Sequence, residues 1–472
     1  MIKSPARSQT PTPLSPGDVV EIECTDLIAK TGQAVGRADG MVVYVWGPIP
    51  GERARVRIEV VKAKYAIGEL IELLFQSPDR ATPFCPVFGT CGGCQVQHVA
   101  YASQLRWKRS LVANALQRLG GMKDARVGFP VGMDVPRGYR NKMALVVDHA
   151  GASPAFGFYA ARSHDVVPIA ACPIVLPQLD RSIGGLWAAG GDAASAAAFD
   201  GALHVVARAG RSSGEGVVAL TTAARSATLS DRAEALAAHL PGVVGIVNSY
   251  ESPSENAVMG RKQSTAFGRA EIEERIDEVR FMVSPASFFQ VNSEMVGKIF
   301  AFIAPHLQGL RSVVDLYCGA GTFSLFFAKH GARVIGIEEN PHAVREARAN
   351  AKMNGVEDRT LFLAGRVDAT LRSKRGLGAL AGADVAFLDP PRKGSDEATL
   401  DALLRARVPQ IWYLSCNPAM LARDVARLVA GGYRLGPVQP FDMFPQTGHV
   451  EALASIFRGD LTPPAFALSE EA

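Results

Sequence analysis

The sequence lacks any run of about 18 apolar residues, so no membrane-spanning helix is expected. It also lacks an excess of one charge. Formal net charge is only +4 over 472 residues, so any nucleic-acid-binding basic face must be local. Residues 1–17 are rich in Pro, Ser and Thr and contain no apolar stretch. They read as a disordered tail rather than a secretion signal, which makes the cytoplasm the expected compartment. Cysteine is scarce, at seven residues, and in such a compartment it points to metal or catalysis before disulfides. Gly-Lys-Ser/Thr is missing, which excludes a P-loop.

What is present is an ordinary globular balance, 48% hydrophobic and 20% charged, in a length that suits two to four domains. Residues 17–74 hold short β-like runs broken by Gly36, Gly40 and Pro48-Ile49-Pro50-Gly51, a pattern that predicts a small barrel. Its Arg53, Arg55, Arg57, Lys62 and Lys64 read individually as a solvated face. Cys85, Cys91 and Cys94 follow, then an amphipathic helix over 101–119. Between 101 and 145, nine Lys/Arg (Arg106, Lys108, Arg109, Arg118, Lys123, Arg126, Arg137, Arg140, Lys142) face only Asp124 and Asp134. That local excess suits phosphate contacts, and surplus charge on an exposed helix is the plain alternative. Residues 188–202 are Ala/Gly-rich and read as helix and loop in a mixed central domain, and Ser252-Pro253-Ser254 reads as a loop.

From 312 the texture alternates. Strands are predicted at 312–317, 333–338, 360–364, 384–389 and 410–415, with helices at 322–329, 341–354, 396–405 and 418–430. This is the pattern of an open, mostly parallel α/β sheet. Residues 433–457 read as two more strands joined by a loop. The expected division is a tail (1–15), a barrel (16–75), a central α+β domain (76–285), an α/β domain (286–460) and a second tail (461–472).

The first predicted strand runs into Tyr317-Cys318-Gly319-Ala320-Gly321-Thr322. Two glycines let the backbone turn sharply and approach a ligand. Glu338 lies 23 positions beyond Asp315, at the end of the next strand, where a carboxylate suits a ribose diol. The third glycine of a dinucleotide fingerprint is missing, so a nucleoside without a long phosphate chain fits, with S-adenosylmethionine first. Asp389-Pro390-Pro391-Arg392 ends the fourth strand and Ser415-Cys416-Asn417-Pro418 the fifth, so both carry chemistry to the ligand edge of the sheet. A helix starting near Pro418 is expected to lower the Cys416 thiol pKa. C5 of uracil becomes nucleophilic when a thiolate adds at C6, and a base must then remove the C5 proton. Glu451 and His449 are the candidates for that base. Cys318 reads as packing only, and Cys24 has no assigned role.

These motifs, with Phe288-Phe289-Gln290-Val291-Asn292 and His449-Val450-Glu451, closely resemble the RNA (uracil-5)-methyltransferase family. The resemblance implies a class I S-adenosylmethionine-dependent methyltransferase domain with Rossmann-like α/β fold. It implies Cys416 as nucleophile and Glu451 as proton acceptor. It implies S-adenosylmethionine contacts at Gln290, Tyr317, Thr322, Glu338 and Asp389; family members often carry Asn where this chain has Thr322. Gly32-x-x-x-Gly36 and Pro50-Gly51-Glu52 resemble a TRAM domain, an OB-like RNA-binding barrel. Cys85, Cys91, Cys94 and Cys172 match a family [4Fe–4S] site, and structural zinc is the alternative that four thiolates allow. The combination most resembles the bacterial enzymes acting on 23S rRNA, with the target uridine flipped out or in a loop and the enzyme a monomer. A tRNA substrate and a non-catalytic RNA-binding factor are the alternatives. Radical methylthiotransferases also combine TRAM and iron–sulfur, but they need C-x3-C-x2-C, and this chain has C-x5-C-x2-C.

Overall fold

The computed structural model describes residues 13–251, 258–461 and 466–471. The expected tail at 1–12, the Ser252-Pro253-Ser254 loop and residues 462–465 and 472 lie outside the described residues. Among the described residues, no helix is long and apolar enough to cross a membrane. The chain forms two compact units, residues 1–104 with 446–448, and residues 105–445 with 449–472.

In the first unit six strands form one sheet: β1 (Val19–Glu23), β2 (Asp26–Leu27), β3 (Ala34–Ala38), β4 (Met41–Val45), β5 (Arg53–Val61) and β6 (Tyr65–Phe75). Their order is β1-β5-β6-β4-β3-β2, and β1 also contacts β3, so the sheet curls. Alternation explains this. In β4, Met41, Val43 and Val45 point inward and are buried, while Val42 and Tyr44 are half-covered. The barrel arginines are laced to cross-strand carboxylates: Arg55 pairs with Glu21 and Glu72, and Arg57 with Glu69. That solvated, neutralised face is the plain reading of those residues.

The second unit begins within α1 (Tyr101–Arg118) and contains two large sheets. One holds β7 (Lys142–Asp148), β8 (Ala155–Tyr159), β9 (Val166–Pro168), β10 (Ala202–Ala209), β11 (Gly216–Thr222), β12 (Val243–Tyr250) and β13 (Lys262–Gly268), in the order β13-β12-β11-β10-β7-β8-β9. Helices α2 (Pro177–Gly191) and α3 (Ala227–Ala238) accompany it, and a hairpin of β14 (Ile272–Ile276) and β15 (Val279–Val283) leads to α4 (Ser293–Ile303).

The other sheet is the class I methyltransferase fold. Its strands are β16 (Ser312–Leu316), β17 (Arg333–Glu338), β18 (Thr360–Ala364), β19 (Val385–Leu388), β20 (Gln410–Ser415), β21 (Tyr433–Phe441) and β22 (Glu451–Arg458), ordered β18-β17-β16-β19-β20-β22-β21. Helices α5 (Thr322–Lys329), α6 (Pro341–Met353), α9 (Glu397–Ala406) and α10 (Pro418–Ala430) match the predicted segments within two residues. The central strand β19 reads Val-Ala-Phe-Leu and is buried along its whole length, as a parallel strand covered on both faces requires. Truncating Leu388 there would cost about 2–5 kcal/mol. Two short helices, α7 (Val367–Arg372) and α8 (Lys374–Ala381), were not predicted. Gly365, Gly376, Gly378 and Gly382 mask their periodicity; Ser373 starts α8 by accepting from Gly376 N at 3.0 Å.

The basic stretch does not all face solvent. Arg106, Arg109, Arg118, Lys123, Arg126 and Arg137 are exposed, but Lys108 is wholly buried against Asp442. Lys108 is therefore withdrawn from any phosphate-binding face.

Candidate functional site

Register builds the site. In the parallel ladders Leu316 pairs with Ile337 and Leu388, and Leu388 pairs with Tyr413. The residues just beyond those pairs, Tyr317, Glu338, Asp389 and the Ser415-Cys416 turn, therefore emerge at one edge. β22 runs the other way. Its pairing of Ser415 with Ala452 means that one further step sets Cys416 against Glu451. An antiparallel last strand is what brings an N-terminal glutamate to the edge where the parallel strands end.

These residues line one cavity of about 490 Å³. Gln290, Tyr317, Glu338, Asp389, Cys416 and Glu451 all share it, as do Phe288, Arg392 and His449. The size suits a nucleoside-sized ligand. Thr322 does not reach this cavity. It lines a small side pocket with Gln290, Asp315, Tyr317 and Asp389.

The turn after β16 is tight. Tyr317, Gly319 and Gly321 have φ of +67°, +55° and +89°. Glycine takes the left-handed region freely, whereas Tyr317 is held there at a cost of order 1 kcal/mol. Glu338 secures the turn: its Oε2 accepts from Gly319 N at 3.1 Å and its Oε1 from Asn340 N at 2.8 Å. Gln290 Nε2 donates to Asp389 Oδ2 at 3.0 Å and ties the segment before α4 to the end of β19.

The electrostatics are dominated by buried carboxyls. Burial pushes Asp315 up to about 8, although Ser324 Oγ donates to its Oδ2 at 2.5 Å. Burial likewise pushes Asp389 up to about 7. Glu451 is 3% exposed, its Oε2 has no hydrogen-bond partner, and burial followed by the Asp389 charge raises its pKa well above the usual range. Each group alone would keep its carboxylate in water; together they make a site short of positive charge.

The Cys416 thiol is not lowered as expected. Burial pushes it up to about 12, the Glu451 and Asp389 charges add to the rise, and Arg392 and a backbone hydrogen bond oppose them. The helix end is already capped: Asn417 Oδ1 accepts from Ala419 N at 3.2 Å and Met420 N at 3.4 Å. That carbonyl oxygen takes up donors the thiolate would have needed. Cys318 is buried and its pKa is likewise raised well above normal; it lies outside the main cavity, in keeping with a packing role. His449 is pushed down to about 4 by burial and then by Arg392, so it is a neutral imidazole.

Sequence reasoning placed Asp315 and Arg392 at this edge without giving either a role, and it missed the α10 side chains. Asn417 Nδ2 donates to Arg392 O at 2.8 Å, and Arg423 Nη2 to Lys393 O at 3.2 Å and Ser395 O at 2.9 Å. Buried Asp424 accepts from Ser395 N at 2.9 Å and Tyr413 Oη at 2.6 Å. The 389–395 turn is thus clamped to α10. The signal was the unbroken Asp389-Pro390-Pro391-Arg392 motif, but which helix would hold it is a tertiary fact.

Among the described residues, no group of three or more His, Cys, Asp or Glu is arranged to hold a metal. Cys85, Cys91 and Cys94 lie in the first unit and Cys172 in the second. Within the first unit Cys91 Sγ accepts from Gly93 N at 3.4 Å, and the Cys85 charge adds to the burial that raises its pKa.

Residues 258–457 match a family profile described as tRNA (Uracil-5-)-methyltransferase, and residues 13–71 match the TRAM domain. An uncharacterized RNA methyltransferase of Halalkalibacterium halodurans is 36% identical over 461 residues, 95% of this chain and 98% of that one. Another, of Thermosynechococcus vestitus, is 36% identical over 450 residues, covering 93% and 98%. Among solved structures, the Pyrococcus abyssi tRNA (uracil-54, C5)-methyltransferase in complex with S-adenosyl-L-homocysteine is 26% identical with a TM-score of 0.71, covering 93% of this chain and all of that one. TRAM domain, family match and near-full-length similarity agree: the chain belongs to the RNA (uracil-5)-methyltransferase family and is an S-adenosylmethionine-dependent RNA methyltransferase.

Proposed function

We propose that the protein methylates C5 of a uridine in 23S rRNA, with Cys416 as nucleophile and Glu451 as proton acceptor. The observation that carries the Cys416 and Glu451 roles is that the thiol lines one cavity with a buried Glu451 whose Oε2 has no partner. S-adenosylmethionine supplies the methyl group as an electrophilic sulfonium. Gln290, Tyr317, Glu338 and Asp389 hold it, with Thr322 contributing from the side pocket. The close turn at Gly319 and the carboxylates beside it suit a cationic nucleoside. Cys416 Sγ bonds to C6 of uracil, and the C5=C6 pair moves towards O4. C5 then takes the methyl as the methyl–sulfur bond breaks, and its electron pair leaves with S-adenosylhomocysteine as the thioether. The Glu451 carboxylate accepts the C5 proton, and the electrons left behind restore C5=C6 and expel the Cys416 thiolate. Burial raises the pKa of both Cys416 and Glu451, so both must be deprotonated in the complex, where a sulfonium and the cavity cations Arg366, Arg392 and Lys393 favour the charged forms.

A 23S rRNA target and a monomer rest on the family resemblance, and a cytoplasmic location on the reading of residues 1–17 as a tail rather than a secretion signal. A second reading, a tRNA target, is favoured by the similarity to the Pyrococcus abyssi tRNA enzyme. Mass mapping of 5-methyluridine in a deletion strain separates them. Loss from 23S rRNA alone supports the first, and loss from tRNA alone the second. The [4Fe–4S] site at Cys85, Cys91, Cys94 and Cys172 also rests on the resemblance. Anaerobically purified protein with about four irons supports it, and one zinc without iron overturns it.

A further inference from the structure

The chain leaves β21 at Phe441, contributes Phe444 and His449 to the cavity wall, and re-enters the sheet at Glu451. A turn in that place has no ladder to satisfy its carbonyls, yet any slack in it moves Glu451. Three consecutive carbonyls are taken by three side chains from distant parts of the second unit. Asn292 Nδ2 donates to Met443 O at 3.1 Å, Lys108 Nζ to Phe444 O at 3.1 Å and Tyr139 Oη to Pro445 O at 3.0 Å. All three donors are buried, at 0%, 0% and 1% exposure. Asn292 is itself fixed, because its Oδ1 caps α4 through Met295 N at 3.2 Å. Lys108 is fixed by Asp442, Nζ to Oδ1 at 2.5 Å.

Burying an ammonium is costly, and an apolar side chain of similar size would hold α1 to the domain at least as well. The rest of that helix face does so with Val112, Ala115 and Leu116. What an apolar residue cannot supply is a directed bond to Phe444 O. Asn292, Lys108 and Tyr139 come from a helix cap, a helix interior and an extended segment, so their convergence on carbonyls 443, 444 and 445 is not a by-product of one local motif.

We infer that Lys108, seconded by Tyr139 and Asn292, is a positioning residue for the methyl-transfer site. It touches no reacting atom. It fixes the 442–445 turn so that Phe444 stays in the wall and Glu451 enters β22 in register with Cys416. The inference rests on the proposed roles of Cys416 and Glu451.

Lys108→Met leaves Asp442 buried without its partner and is expected to unfold readily. The deciding variants are Lys108→Met/Asp442→Asn, which removes both charges, and Tyr139→Phe, which removes one hydroxyl. Each is compared with wild type for folding, S-adenosylhomocysteine affinity, KM for RNA, kcat and the amount of covalent protein–RNA adduct. A displaced base lowers kcat and lets adduct accumulate, and leaves binding alone. The expected result is a fall in kcat of about tenfold for the double variant and about threefold for Tyr139→Phe. Adduct should rise in both, with cofactor affinity and KM within about twofold. Wild-type kcat in a folded double variant overturns the inference. So does a double variant that fails to fold while Tyr139→Phe keeps wild-type kcat. Wild-type enzyme that never forms a Cys416 adduct would sink the proposed reaction instead, whatever these variants do.

Discussion

Asp315 offers a quantitative test of the site's electrostatics. It is 1% exposed on β16, and burial, with Asp389 and Glu338 nearby, moves its pKa from 3.8 to about 8. A carboxyl raised by folding favours the native state fully below its unfolded value. That contribution is lost as pH climbs through the folded value. Between about pH 4 and pH 8 the unfolded chain ionises Asp315 while the folded protein still holds it neutral, so stability falls across that window. At about 1.4 kcal/mol per pKa unit the whole displacement is worth at most about 6 kcal/mol, and with relaxation a few kcal/mol is the realistic scale. Asp315→Asn keeps an oxygen for Ser324 Oγ and removes the charge. Thermal melts of ligand-free protein across pH 5 to 8.5 should show variant and wild type converging at the acid end. At pH 8 the variant should be the more stable, by several degrees in Tm. A Tm difference that does not change with pH, or a variant less stable at pH 8 than at pH 5 relative to wild type, would refute the reasoning.

Two further outcomes are expected. Glu451→Gln retains the shape of the wall but cannot take a proton, so denaturing gels should show accumulated protein–RNA adduct while turnover falls by about 10²–10⁴. Normal turnover without adduct removes Glu451 from the role. Asp424→Ala strips the acceptor shared by Ser395 N and Tyr413 Oη, so stability should drop by about 1–3 kcal/mol in denaturant melts. An unchanged midpoint would show that the 389–395 turn is held by other means.

Much of the methyltransferase sheet was legible because its strands are apolar runs closed by chemical punctuation. The Gly319-x-Gly321 turn, Asp389-Pro390 and Asn417-Pro418 mark where β16, β19 and β20 stop, so those strands fall within one residue of the expected bounds and helices α5 and α10 have the expected ones. Helices α7 and α8 were hidden by glycines that tertiary packing tolerates. Charge was read less well than periodicity. Lys108 looked like one more member of a basic stretch, and its partner Asp442 is 334 positions away, a pairing that no local pattern announces. The Cys416 thiol failed the helix-end expectation for a similar reason. The neighbouring Asn417 caps the helix, and Glu451 and Asp389 arrive from other strands. The motifs put Tyr317, Glu338, Asp389 and Cys416 at strand ends, but how many carboxyls would crowd that edge depended on how far each strand ran.

The thiol of Cys416 is the group on which the proposed reaction depends. Protein incubated with S-adenosylmethionine and RNA carrying 5-fluorouridine, which has no C5 proton to surrender, should stall as a covalent complex. Mass spectrometry of the digested complex should place the modified nucleotide on the peptide containing Cys416, and Cys416→Ala should form none while still binding RNA. Adduct on another cysteine, or methyluridine produced by Cys416→Ala, would contradict it.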